Sequence, residues 1–530
     1  MSSSIAVSNL AYAHPGGDLL FDGVSFRLSP GRHAGLIGAN GVGKTTLMRI
    51  LAGELQAMDG NVANGGPAAY MPQDVGAGDG TVRELLLSVA PDRVRETGLA
   101  MLRAERDLEA GDDAAGVRLG EAIASWSDLG GYELEGQWDS ACRRCAGGGL
   151  GAVGDRPADT LSGGERKRLV LDLLFGSDAQ VLLLDEPDNF LDVPAKRALE
   201  AQIRATRKTV LVISHDRELL TSACDAVVTL EGSGAWVHGG SYATYPEARE
   251  HRQKLMGDRL VRWQKEEKRL RERVRIFKER ARYADSWAKR ADAAETRWKH
   301  FVDAGPPPAP VGDRHMVVRF RGGDSARRVL DLRKLSVDGL VRPFSEEVYF
   351  GERVGLIGPN GSGKTHLIRL LAGEPVAHGG EVVVGPRVSP GLFTQLNARP
   401  DFARRRLLDI VVERLKAMEA AMQALARYGL AGAANRAYET LSGGERARLE
   451  ILCLEAEGHN LLLLDEPTDN LDIDSSEALE SALEGFEGTV VAVSHDRAFL
   501  RRLDRFLMLE QDGVVTVLPD ARRALEAIGG

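Results

Sequence analysis

Cysteine is scarce in this chain of 530 residues, which holds only Cys142, Cys145, Cys224 and Cys453. So few thiols point to a reducing compartment, with the cytoplasm as the expected location. Cys142 and Cys145 form a C-x-x-C pair, but a zinc site would want a second pair at suitable spacing, and none exists. Long apolar runs are missing as well. No stretch approaches the roughly 18–20 apolar residues that span a bilayer, and the longest runs, at 181–184 and 461–464, are strand-sized. The opening MSSSIAVSNL has neither a basic n-region nor an apolar h-region, so no signal peptide is expected. A net charge of −9 gives no whole-chain reason to bind nucleic acid. What the chain does have is length, too much for one hydrophobic core, so two or three domains are expected.

It also repeats itself. GANGVGKTT at 38–46 returns as GPNGSGKTH at 358–366, and LSGGER at 161–166 returns at 441–446. LLLDEP at 182–187 returns at 462–467, and SHDR at 214–217 returns at 494–497. The last three pairs are offset by 280 residues and the first by 320. The first copy therefore carries 40 extra residues between its first two motifs, an insertion expected within roughly 95–140.

Each glycine-rich motif follows a short apolar stretch, 34–37 or 354–357, and precedes a helix-like run, LMRILAG or LIRLLAG. Strand, glycine loop, helix is the setting of a phosphate-binding P-loop, or Walker A motif. Backbone N–H groups converge on the phosphates and the helix points its positive end at them. Gly38, Asn40, Gly41, Gly43, Lys44, Thr45 and Thr46 form the first candidate loop. Gly358, Asn360, Gly361, Gly363, Lys364, Thr365 and His366 form the second. The lysines would reach the β- and γ-phosphates of ATP, and Thr45 and Thr365 would hold Mg2+. VLLLDE and LLLLDE read as buried parallel strands ending in acids, where open α/β sheets place ligands. Asp185 and Asp465 would support the Mg2+ ion, while Glu186 and Glu466 would polarise the attacking water.

The order of these motifs resembles an ABC nucleotide-binding domain, twice over, with LSGGE as its signature. The resemblance implies Gln73 and Gln395 as Q-loop glutamines near the metal, and His215 and His495 as γ-phosphate sensors. It also implies a head-to-tail pairing of cassettes. Lys44 would then share a site with Ser442, Gly443, Gly444 and Glu445, and Lys364 with Ser162, Gly163, Gly164 and Glu165. ATP would close the pair and loss of its γ-phosphate would release it. Tyr12 lies where family members stack an aromatic ring on adenine, and the second half has only Val337 in that region. Both acid–loop segments, DNFLD at 188–192 and TDNLD at 468–472, depart from the common TNHLD-like form. Both sites are expected to be competent, the one on Lys44 binding ATP more tightly.

Between the repeats, residues 249–300 hold 18 Lys or Arg against 9 Asp or Glu, and three of the chain's six tryptophans, Trp263, Trp287 and Trp298. No Gly or Pro occurs over 258–304, and GPPPAP then ends the segment. Leu270, Val274, Phe277, Ala281, Ala284, Ala288, Ala291, Glu295 and Trp298 follow a four–three spacing that predicts helix. It fits either one long helix or an antiparallel hairpin with its tip near 278–287. A lopsided positive charge with interleaved aromatics suits a phosphate backbone and stacked bases. Arg275, Lys278, Arg280, Arg282, Lys289 and Arg290 are the candidate RNA contacts.

Tandem cassettes, no membrane domain and a charged helical linker resemble the ABC-F family, as does GGSYATYPEAR at 239–249, over nearly the whole chain. The expected fold is α/β, two P-loop ABC nucleotide-binding domains in tandem (1–245 and 311–530) joined by a basic helical linker (246–310). The resemblance implies a monomeric ATP hydrolase that acts on the ribosome. Its linker would reach ribosomal RNA and tRNA near the exit site and the peptidyl-transferase centre. Protection of the ribosome from antibiotics is the leading expectation, a housekeeping translation factor the alternative, and the ATP-binding subunit of a membrane transporter the second alternative.

Overall fold

A computed structural model describes residues 4–17, 19–76, 80–232, 234–311, 316–394 and 399–529. Two compact units emerge: Met1–Val237 with Arg314–Gly530, and His238–Asp313. The first unit holds both cassettes.

In each cassette the P-loop strand lies inside a six-stranded sheet. The first sheet runs Ala68–Met71, Val181–Asp185, Thr209–Ile213, His33–Ile37, Ala226–Glu231, Gly234–His238. Its first five strands are parallel. The second runs Pro390–Phe393, Leu461–Asp465, Thr489–Val493, Arg353–Ile357, Arg505–Leu509, Val515–Leu518, with only the last pairing antiparallel. The near-continuous apolar runs of the central strands follow from this position, since helices and loops cover both faces. All five residues of Val181–Asp185 and of Leu461–Asp465 are buried. A three-stranded antiparallel sheet packs on each, built from Leu19–Leu28, Ile5–Ala13 and Asp59–Asn64 in one cassette and Val341–Tyr349, Arg328–Val337 and His378–Val384 in the other.

The cassettes differ most between their P-loop and signature. Besides the short Val82–Ser88 and Leu150–Val153, the first carries three longer helices there, Asp92–Glu109, Ala115–Asp128 and Gly131–Cys145, around Trp126 and Trp138, whose rings stand 6.0 Å apart. The second has the shorter Leu407–Leu415 and Met418–Arg427. Cys142 is fully buried in the tryptophan cluster, and burial pushes its thiol up to about 11. That is the chemistry of a packing residue rather than a nucleophile.

The second unit is an antiparallel helical hairpin of Tyr245–Ala281 and Ala288–Asp303, joined through a short 3-10 turn at Asp285–Trp287. Trp263 stacks on Phe301 with centroids 5.4 Å apart, and Trp298 Nε1 donates to Glu267 at 3.0 Å. Leu270, Val274 and Ala291 are buried in the seam. Glu295, an acid at an apolar position of the spacing, is held by Lys278 at 2.6 Å and Lys299 at 3.3 Å. No helix among the described residues is long and apolar enough to cross a membrane.

Candidate functional site: a composite nucleotide cleft

The P-loop helices Lys44–Leu51 and Lys364–Leu371 begin at Gly43 and Gly363, whose φ angles of 103° and 96° place them in the left-handed region. A Cβ on Gly43 would sit 2.8 Å from Leu20, so glycine meets a steric demand there as well as a conformational one. Lys44 Nζ lies over the loop, donating to the carbonyls of Gly38 at 2.7 Å and Ala39 at 3.3 Å. Lys364 does the same to Gly358 and Pro359, both at 2.9 Å. Burial pushes both lysines below their usual range, an environment that favours an anionic neighbour.

The two cassettes meet head to tail. Asn40 donates its backbone N–H to Asp472 at 3.1 Å and its side-chain amide to the carbonyl of Asn470 at 2.9 Å. In the mirror position Asn360 donates to the carbonyl of Phe190 at 3.2 Å. Asn470 and Phe190 both have φ of 65°, which turns their carbonyls towards the opposite P-loop. One cavity of about 320 Å³ results, lined by Asn40, Gly41, Gly43, Lys44, Thr45, Thr46, Gln73 and Glu186 from the first cassette and Ser442, Gly443, Gly444 and Asn470 from the second. His14 and Leu20 complete it. Tyr12 packs against Phe21, with centroids 6.2 Å apart, and edge-on at 5.4 Å to His14, which follows the strand and lines the cleft. His366, the counterpart of Thr46, is exposed.

The signature motif does two jobs. Ser162 and Ser442 are N-caps of Gly163–Gly176 and Gly443–Glu457, and each forms a capping box with the glutamate three residues on. Glu165 accepts from the N–H of Ser162 at 2.8 Å, and Glu445 from that of Ser442 at 2.8 Å. Both glutamates are thus turned back on their own helix end, and Ser442, Gly443 and Gly444 line the cleft. The S-x-x-E spacing inside LSGGE is the sequence signal for this arrangement. Ser442→Ala is expected to cost about 1 kcal/mol of stability, read as a lower denaturation midpoint with unchanged slope.

At the floor, Tyr70 donates its hydroxyl to Asp185 at 3.4 Å, and Thr365 donates to Asp465 at 3.3 Å. Burial raises both aspartates, against the lowering influence of the Thr45 and Thr365 hydroxyls. Gln73 donates to Glu186 at 2.6 Å, and Gln395 lies outside the described residues. His215 Nε2 stands 3.7 Å from Glu186, and His495 Nε2 stands 3.5 Å from Glu466. Burial, and then the Lys44 charge, push His215 down to about 3, and burial with Lys364 pushes His495 well below its usual value. Both rings are therefore neutral at physiological pH.

These groups fit a magnesium–nucleotide ligand. Both ring nitrogens of His215 and Oδ1 of Asp185 are buried without a hydrogen-bond partner among the described residues, and an unpaired buried polar group is costly unless something completes it. Hydroxyl, carboxylate and amide oxygens suit a hard cation. No group of three or more His, Cys, Asp or Glu among the described residues could hold a metal alone. Magnesium needs none, since it takes most of its ligands from phosphate and water.

Comparison with known proteins agrees with this geometry. A family profile described as "ABC transporter" matches residues 21–189 and 341–469. An "Antibiotic resistance protein" of Mycobacteroides abscessus is 44% identical over 97% of this chain and 98% of its own length. "ABC transporter F family member 2" of Arabidopsis thaliana is 29% identical over 99% of this chain and 79% of its own. The chain belongs to the ABC-F family. Another relative, the "Energy-dependent translational throttle protein EttA" of Mycobacterium tuberculosis, is 30% identical over 92% of this chain and 88% of its own. Among solved structures, an archaeal ribosome recycling factor in complex with a ribosomal stalk protein shares the fold at a TM-score of 0.60. It is 20% identical and covers 98% of this chain and 92% of that one.

Within this ABC-F chain the structure also brings forward residues that motif reading passes over. Lys167, directly after the signature, donates to the backbone carbonyl of Glu186 at 2.5 Å. Lys196 of the first cassette is buried, pairs with Asp216 at 3.2 Å and donates to the carbonyl of His495 in the second cassette at 3.3 Å. Burial opposes its charge, but Asp216 and Asp188 outweigh that and raise its pKa. Asn189 donates to Glu186 at 2.6 Å.

Proposed function

We propose that this ABC-F protein is a monomeric ATP hydrolase that binds the ribosome in its ATP-bound, closed state and protects it from antibiotics. The observation that carries the ATPase reading is the cleft built from the P-loop of one cassette and the signature of the other. In this reading Lys44, Thr45, Thr46 and the backbone of Gly38, Asn40, Gly41 and Gly43 hold the phosphates of one ATP, and Ser442, Gly443 and Gly444 cover it. Gly358, Asn360, Gly361, Gly363, Lys364, Thr365 and His366 hold the other, under Ser162, Gly163 and Gly164. Thr45, Asp185 and Gln73, and their counterparts Thr365, Asp465 and Gln395, would hold Mg2+, which offsets phosphate charge. Glu186 and Glu466 orient and polarise water, and neutral His215 and His495 hydrogen-bond the γ-phosphate. Cassettes that meet through these contacts close when both sites fill, because the contacts exist only in the paired state.

The ribosome reading draws on the linker, with residues 1–245 and 311–530 as cassettes and 246–310 between them. Near the hairpin turn two guanidinium groups lie over the Trp287 ring, Arg280 at 4.9 Å and Arg290 at 4.8 Å from its centroid. Tyr283 beside it is 87% exposed. Aromatic and guanidinium planes with surplus positive charge suit RNA bases and phosphates near the tRNA exit site and peptidyl-transferase centre. Arg275, Lys278, Arg282 and Lys289 extend that surface. The 44% relative named for antibiotic resistance favours protection. The 30% relative named as a translational throttle favours a second reading, a translation factor.

Ribosome cosedimentation of the full chain carrying Glu186→Gln and Glu466→Gln tests the reading. Pelleting with ATP and release with ADP is the expected result. A protein that binds ATP yet stays in the supernatant under both nucleotides overturns it in favour of a transporter subunit. Growth under antibiotic challenge, with and without the protein, then separates protection from a housekeeping role.

A further inference from the structure

Glu186 and Glu466 have the same backbone and different side-chain settings. Their φ angles are 48° and 50°, and each N–H donates to a neighbouring strand, to Ile213 and Val493, at 3.0 Å. Glu186 lines the cleft, accepting from the amides of Asn189 and Gln73, each at 2.6 Å. Among the described residues, which exclude Gln395, Glu466 accepts from the backbone N–H of His495 at 3.0 Å. Its side chain is 4% exposed against 15% for Glu186, so it is withdrawn from solvent.

With the backbone held constant, the difference lies in the neighbours. Three residues on, the first cassette has Asn189 and the second has Asp469. Both return their N–H to the glutamate carbonyl, at 3.4 Å and 3.2 Å, so the two side chains start from equivalent places. An amide N–H can donate to the glutamate; the Asp469 side chain offers no amide donor, and its charge raises the Glu466 carboxyl. Lys167 also separates the cassettes, since Ala447 is its counterpart. Its bond goes to the Glu186 carbonyl, on a backbone whose φ is matched in the other cassette.

We propose that Asn189 and Asp469 are positioning residues that make the two ATP sites unequal. Asn189 holds Glu186 ready for water, and Asp469 turns Glu466 away. The site on Lys44 hydrolyses its ATP faster, and the slower site on Lys364 retains ATP for longer and keeps the cassettes paired between turnovers. This rests on the ATPase reading above. In the step itself, the water oxygen bonds to the γ-phosphorus as the bond from that phosphorus to the β,γ-bridging oxygen breaks. ADP leaves, and the water proton passes by way of Glu186 to the released inorganic phosphate.

The test uses the full chain with magnesium and ATP, reading kcat, KM and the chemical identity of nucleotide retained after rapid desalting. Glu186→Gln is expected to lose at least about tenfold more turnover than Glu466→Gln. Adding Asp469→Asn to Glu186→Gln should raise kcat at least about tenfold with KM within about twofold, and change the retained nucleotide from ATP to ADP. Asn189→Asp in the Glu466→Gln background should lower kcat by a similar factor, and Asn189→Gln, which keeps an amide, should recover more than Asn189→Ala. Equal losses in the two glutamine variants overturn the proposal. So does an Asp469→Asn chain that binds ATP and keeps the rate of its parent. If Asn189→Asp does not fold, the Asp469→Asn comparison decides alone. Wild-type protein that binds ATP without any turnover is a different result, and it removes the ATPase reading itself.

Discussion

Glu186→Gln with Glu466→Gln is expected to lower ATP turnover by about 10²–10⁴-fold, the range a positioned general base contributes, with ATP affinity within about twofold. The change is isosteric and neither glutamate supports the P-loop, whose lysines bond their own loop carbonyls. Burial, and then the Asp185 charge beside it, push Glu186 up to about 7. Burial, and then Asp469, push Glu466 up to about 8. The ionised carboxylate is the form that accepts a proton, and it gains population as pH rises through these values. Wild-type kcat should therefore rise with pH across neutrality. The double variant lacks both carboxylates and should show a flat, low profile from about pH 6 to about pH 9. Rate measurements over that range check both parts, and a variant retaining the rising limb would assign the limb to another group.

How far such a site can be read from the sequence depends on where its information is stored. The tandem α/β architecture was legible because each cassette repeats the same short stretches, and a P-loop needs its strand, glycines and helix in sequence order. The helical character of the linker followed from apolar spacing and from the absence of Gly and Pro. The turn between its helices uses Tyr283, Asp285, Ser286 and Trp287 without a glycine, so no breaker marks it. The capping role of Glu165 and Glu445 was present as S-x-x-E, hidden because the same letters spell the signature. Near Tyr12 the cavity is lined by His14, just past the end of the strand, a residue that no motif singles out.

Beyond the pairing of P-loop and signature that the resemblance implied, the contacts across the cassette boundary were not legible. Asn40 meets Asn470 and Asp472, more than 400 positions away, and Lys196 meets His495. Nothing in the residue types announces such pairings, because a surface salt bridge and a buried interface pair use the same letters. The structure separates them by burial: Arg497, Glu200 and Asp216 are each under 9% exposed. Pseudo-symmetry then becomes visible. Arg497 of the second cassette pairs with Glu200 and Asp216 of the first, and Arg217 of the first pairs with Glu480 and Asp496 of the second. Lys196 breaks the pattern, since its counterpart is Ser476.

Arg497→Ala is expected to cost about 3–5 kcal/mol, the penalty for leaving buried carboxylates without their partner. The cost falls on cassette pairing because Arg497 and its acids belong to different cassettes. At about 1.4 kcal/mol per tenfold, the closed state should lose about two orders of magnitude or more in population. Three readouts follow: a lower thermal midpoint, weaker ATP retention and slower turnover, since the composite cleft needs both halves. Asp216 keeps Lys196 at 3.2 Å, so Glu200 is the acid left most exposed to the loss. Adding Glu200→Gln to Arg497→Ala should then recover part of the stability, with a coupling of about 0.5–3 kcal/mol between the two positions. Strict additivity of the two changes would mean that the ion pair contributes nothing to pairing. Recovery in the double variant would show that the arginine matters because it neutralises a buried acid at the interface, and the Arg217–Glu480 pair should then behave in the same way on the opposite side of the pseudo-twofold axis.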